Sequence, residues 1–176
     1  MTEASGDTIP VRRRTAMPSV SPVSVAKAVV IVCLVLAIAG IAIAAYLAFE
    51  NLQSRTGVCT ITHGCQTVQQ SRYGKLFGIP ISVPGLGLYL LLGAAAITWL
   101  TNFRGLRRWA AFLAFNGALF GFAYSLFLTY IEGWVLEAWC IYCITSASLM
   151  FLLFAGWLTV LLITLRPGEP DILDGH

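Results

Sequence analysis

Five cysteines are the residues of this 176-residue chain best suited to do chemistry. Cys59 and Cys65 are separated by five residues that include His63 and Gly64, and Cys140-Ile141-Tyr142-Cys143 forms a C-x-x-C. Cys33 lies in an apolar run with no polar neighbour, where a thiol behaves as a small hydrophobe, and it reads as structural. The other four admit three chemistries. Two structural disulfides are ordinary in an oxidising compartment. Residues i and i+3 of a helix already share a face, however, so a C-x-x-C bridge closes too small a loop to constrain the unfolded chain much. Four thiolates, with His63 able to replace one, suit a metal, although the Cys59–Cys65 gap exceeds the roughly two to four residues usual between paired zinc ligands. The third chemistry is a dithiol relay, in which a flexible pair exchanges electrons with a fixed one. The pattern favours the relay, with metal and staple as rivals.

The elements that position these thiols follow from composition. The chain is 58% hydrophobic and 11% charged, against roughly 45–50% and about 25% in soluble domains. A surface so poor in charge excludes an ordinary soluble enzyme and implies a bilayer. A net charge of +3, scattered along the chain, is no footprint for nucleic acid. Apolar runs cover about residues 23–49, 84–100, 106–130 and 139–165. At ~1.5 Å per residue even the shortest nearly spans a ~30 Å hydrocarbon core. Four transmembrane helices are therefore expected, within a membrane domain over residues 23–166. Residues 1–22, with Arg12-Arg13-Arg14 and Pro18, and residues 167–176 read as tails. A signal peptide is the rival reading of the first run, but its apolar region needs only roughly 7–15 residues.

Lys and Arg sort the ends of the spans. Arg12, Arg13, Arg14, Lys27, Arg104, Arg107, Arg108 and Arg166 fall on one side, and Arg55, Arg72 and Lys75 on the other. This asymmetry puts both termini in the cytoplasm. It places the polar stretch from Asn51 to Ser82, and a short loop from Ile131 to Ala138, outside. Tyr130, Trp134, Trp139 and Tyr142 then read as an interfacial aromatic belt. Glu132 and Glu137 are expected in that outer interface, Glu50 in water at the end of the first span, and His63 in solvent within the loop.

Four of the five cysteines share the outer side. Cys140 begins a helix, where the partial positive charge and free N–H groups favour a thiolate, so it is expected to be the more reactive thiol of its pair. A relay also needs a terminal electron acceptor. No G-x-G-x-x-G follows a strand, and the chain is too small for a flavin or nicotinamide domain, so a carrier dissolved in the bilayer is implied. A quinone, ubiquinone or menaquinone, is the natural candidate. Cys143, one turn deeper than Cys140, would lie nearest to it.

The loop cysteine pair, Ser71-x-Tyr73-Gly74 with Phe77-Gly78-Ile79-Pro80, and the C-x-x-C opening the fourth span together resemble the vitamin K epoxide reductase family in its bacterial branch. The DsbB type of quinone-linked oxidase carries its C-x-x-C in the first outer loop, the reverse of the order here. The resemblance covers about residues 23–165. It implies an all-α integral membrane protein, a four-helix bundle around a quinone. A capping outer loop would contain a short interfacial helix over about residues 65–73.

It further implies a role for each thiol. Cys59 takes electrons from a partner, Cys65 passes them to Cys140, and Cys143 delivers them to the quinone. Ser71 is placed near the loop cysteines or the quinone head. A separate DsbA-like thioredoxin-fold partner is implied, and with it a bacterial inner-membrane enzyme that generates disulfides outside the cytoplasm. Such a partner is strongly oxidising, at about −120 mV, so its reoxidation requires an acceptor of still higher potential. The alternatives are reduction of a quinone or quinone epoxide as the physiological direction, and a non-catalytic metal-binding membrane protein.

Overall fold

The computed structural model describes residues 22–52, 75–76, 78–101, 105–137 and 139–165. Cys59, His63, Cys65, Ser71, the expected interfacial helix and, but for Pro22, both expected tails lie outside the described residues. The long helices among the described residues are α1 (Pro22–Leu52), α2 (Ser82–Thr101), α3 (Arg107–Trp134) and α4 (Ile141–Thr164). A short antiparallel pair, β1 (Lys75–Leu76) and β2 (Ile79–Pro80), precedes α2 with Lys75 opposite Pro80. Gly78 turns that pair at φ +85°, a conformation that strains any residue with a Cβ.

Each long helix is apolar and long enough to cross a bilayer. The sequence places α1, α2 and α4 to within a few residues. It ends the third span too early, because the helix runs past Tyr130 to Trp134 and shortens the expected Ile131–Ala138 loop. Glu132 and Gly133 look like the end of a span in sequence. Folded, Glu132 is inside the bundle, and the last helical turn forms around it.

Every helix packs on its neighbours in sequence, and α4 closes back on α1. Gly40 meets Tyr89 while Ala37 meets Gly93 further along α2, so α1 and α2 run antiparallel; Gly121 meets Met150 where α3 packs on α4, and Cys33 meets Gly156 where α4 packs on α1. The seam of α1 is Ala26, Val30, Cys33, Ala37, Gly40, Ala44 and Ala48. These intervals of three and four residues are the spacing of a left-handed bundle. α3 contributes Ala110, Ala111, Ala114, Ala118 and Gly121. Small residues let backbones approach closely where lipid supplies no hydrophobic drive between helices. At Gly40 a Cβ would overlap the ring of Tyr89.

Larger side chains fill the remaining space. Trp99, Leu92, Leu153 and Trp157 are fully buried, and Phe122 stacks on Phe154 with centroids 5.5 Å apart. Val35, Leu91, Leu113 and Phe120 point outward, as a lipid-facing surface requires. Tyr130 and Trp134, both exposed, stack with centroids 5.6 Å apart at the end of α3. They have the exposure and amphipathic character of interfacial anchors.

Candidate functional site

The turn between α3 and α4 sets the C-x-x-C. Val135 and Leu136 both donate to the Ile131 carbonyl, at 3.0 and 2.9 Å, and close the end of α3. Glu137 then takes a left-handed conformation, φ 47°, to reverse the chain. Cys140 is the N-cap of α4, extended at φ −104° and ψ 113°, and its carbonyl accepts the N–H of Ile144 at 3.0 Å. The expectation that the motif opens a helix is met. Cys143 follows in the first turn, so both thiols sit where unpaired N–H groups and the helix dipole favour negative charge.

Cys140 is fully buried, packed against Leu136, Tyr142 and Cys143, whereas Cys143 is partly open. Both are free thiols. A hydrogen bond from the Cys143 thiol, assisted by main-chain N–H groups of Cys143 and Tyr142, holds the Cys140 thiol below its ordinary value. Burial and the nearby Glu132 charge oppose that shift without reversing it. Of the pair, Cys140 is thus the thiol whose ionisation the fold favours. Cys33 lies far down the bundle, its sulfur filling the space beside Gly156, where a Cβ would come within 2.5 Å. Its structural reading stands.

Glu132 departs from expectation. It is 1% exposed, and its Oε2 accepts the main-chain N–H of Cys140 at 3.2 Å. Among the described residues Oε1 is buried with no hydrogen-bond partner. An unsatisfied buried oxygen of this kind costs about 1–3 kcal/mol, more when charged. The signal was the spacing of an acid eight residues before Cys140. What hid it is that an acid at the end of an apolar run ordinarily reaches water.

Beside Cys143 a cavity of about 210 Å³ opens between all four helices. Ile43 and Leu47 of α1, Leu88 and Tyr89 of α2, Gly121 and Leu128 of α3, and Met150 of α4 make most of it apolar. Its polar points are few. Tyr89 donates to the Ser146 carbonyl at 3.2 Å and shares a 2.9 Å bond with the Ser146 hydroxyl. The Ser82 hydroxyl is buried on the wall without a hydrogen-bond partner among the described residues. Ser82, Tyr89 and Ser146 were not singled out in the sequence. Only Ser146, one turn beyond Cys143, carried a signal, the shared helix face.

A pair of cysteines at a helix start thus borders an apolar cavity at one end of a membrane-spanning bundle. The model of the vitamin K epoxide reductase family matches residues 31–158, from the middle of α1 to near the end of α4. The chain belongs to that family. Vitamin K epoxide reductase family members are oxidoreductases, associated in general with quinones and with thioredoxin-fold partners. This member has the four helices of a multi-pass membrane protein, with the C-x-x-C and the cavity at one end of its bundle.

Proposed function

We propose that this protein is a quinone-dependent thiol–disulfide oxidoreductase that reoxidises a DsbA-like thioredoxin-fold protein. The observation that carries this reading is that Cys143 lines the apolar cavity while its neighbour Cys140 is fully buried beside it. A pair so placed has one sulfur at a cavity open to a membrane-soluble acceptor and its partner at the start of the same helix.

The cavity residues fit a quinone head. An apolar cavity of ~150 Å³ accepts a benzene ring, so about 210 Å³ admits a substituted one. The unpartnered Ser82 hydroxyl on α2 and the Tyr89–Ser146 pair that joins α2 to α4 offer polar contacts to ring oxygens. When bound, ubiquinone or menaquinone supplies a two-electron, two-proton acceptor.

The protein's own residues do the rest. A reduced partner attacks the Cys59–Cys65 disulfide through a mixed disulfide and leaves oxidised. Cys65, now a thiol, attacks Cys140 of the Cys140–Cys143 disulfide, and the loop pair is restored as Cys59 resolves that bridge. The Cys140–Cys143 dithiol is reoxidised at the cavity, two electrons and two protons leaving as the S–S bond reforms. Depression of the Cys140 thiol makes it a good leaving group when Cys59 attacks Cys65 and releases Cys140 from the bridge. Ser71 stands beside the loop cysteines or the quinone head in this scheme. The cysteine end of the bundle faces outward from a bacterial inner membrane, with both termini in the cytoplasm.

Peptide mapping under non-reducing conditions tests the relay. Substituting Cys59 or Cys143 removes the thiol that resolves the shuttle, so a Cys65–Cys140 bridge accumulates. Absence of that bridge in both variants sinks the shuttle, and a Cys140→Ala protein that reduces quinone at the unaltered rate sinks the assignment of the pair.

A further inference from the structure

The last turn of α3 buries a carboxylate that the relay above leaves without a part. Glu132 touches the main chain of Cys140 through Oε2, the Cys143 side chain lies beside the same carboxylate, and Oε1 has no hydrogen-bond partner among the described residues. Carboxylates are rarely buried whole, because the charge loses its water. Capping one N–H does not explain an acid here, since an amide oxygen accepts the same bond without a charge to desolvate. Contact with both cysteines of a reacting pair does explain it.

We propose that Glu132 carries protons for the Cys140–Cys143 pair, taking the proton released from Cys143 as the S–S bond forms and passing it into the cavity. The inference rests on the redox role proposed above. In balance, a dithiol gives up two protons and two electrons as one S–S bond forms, and the quinone receives both electrons and both protons. Each proton handed on returns Glu132 to its carboxylate. Thr129 and Ser125, three and seven residues before Glu132 on the same helix, line the cavity.

Among the described residues, the other ionisable groups at this end are Tyr46 and Glu50 on α1, Lys75 in β1, Tyr89 on α2, Tyr124 and Tyr130 on α3, Glu137 in the turn and Tyr142 on α4. Tyr46 packs on the Tyr142 ring and Tyr89 is engaged by Ser146. Glu132 meets the main-chain N–H of Cys140 and the side chain of Cys143.

The test is maleimide labelling of Cys143 against pH in the full-length protein carrying Cys140→Ser, which removes both the disulfide and the competing thiolate. Read by peptide mass, labelling falls by much less than tenfold per pH unit below the ordinary thiol range when a carboxylate takes the proton. Adding Glu132→Gln makes the rate fall about tenfold per pH unit below the ordinary thiol range, and Glu132→Asp restores the shallow profile. Identical profiles with Glu and Gln overturn the proposal. So does a Cys140→Ser protein whose labelling already falls tenfold per unit, a result that decides the matter even if the Gln variant does not fold. In parallel, the unsubstituted protein reduced with dithiothreitol is given a soluble ubiquinone analogue. Failure to reduce it overturns the redox role itself, while the labelling profile reports on Glu132 separately.

Discussion

Tyr89 on α2 donates its hydroxyl to the main-chain carbonyl of Ser146 on α4 at 3.2 Å, and the two hydroxyls meet at 2.9 Å one turn below Cys143. The bond crosses the bundle between diagonal helices at the cavity wall. It ties the helix that carries the reactive pair to the one that begins at Ser82.

Tyr89→Phe removes this tie and leaves the ring in place. The loss is about 1 kcal/mol, typical of one neutral hydrogen bond. In detergent the melting temperature falls by about 2–4 °C. An unchanged melt shows that the bond contributes nothing to holding the bundle.

Gly40→Val places a branched side chain against the ring of Tyr89, where even a Cβ overlaps. Overpacking of this kind costs about 1–3 kcal/mol. Combining it with Tyr89→Leu, which vacates the space, recovers part of the loss. Simple additivity of the two melting shifts would falsify the direct contact, since touching residues couple.

At the opposite end of the bundle, Arg107 Nε donates to the Trp99 carbonyl at 3.0 Å and its guanidinium lies 5.0 Å from the Trp99 ring centroid. One side chain thereby satisfies the C-terminal end of α2 and clamps it to the start of α3. Arg107→Ala is expected to lower stability by about 1–2 kcal/mol. Arg107→Lys recovers only part, because an ammonium lacks the planar fork. The check is thermal melting of both variants side by side.

The Cys140 thiol is held below its ordinary value by the Cys143 thiol, so its charged form is favoured by the folded protein. The unfolded chain then binds more protons, and the reduced protein gains stability as pH rises toward the ordinary thiol value. That gain is lost as pH falls through the depressed folded value. In Cys143→Ala the largest cause of the depression is gone. Half-maximal formation of a mixed disulfide with Cys140 then shifts to higher pH, and an unshifted profile shows that Cys143 does not set it.

The sequence by itself determined the spans and the place of one reactive pair. A bilayer demands unbroken apolar length, and length is a local property legible in residues 23–49 or 139–165 without any fold. The helix start at Cys140 was legible for the same reason, because the turn that precedes α4 is local. The end of α3 is not legible, because in sequence Glu132 reads as an acid of the outer interface that ends a span. Whether a carboxylate is buried depends on Cys140 and Cys143, eight and eleven residues away and on the next helix. Tyr89 and Ser146, 57 positions apart, likewise meet only when α2 and α4 close around the cavity. Only the tertiary structure decided which polar groups enter the bundle, because the cost of burying each is offset by partners that chain distance does not reveal.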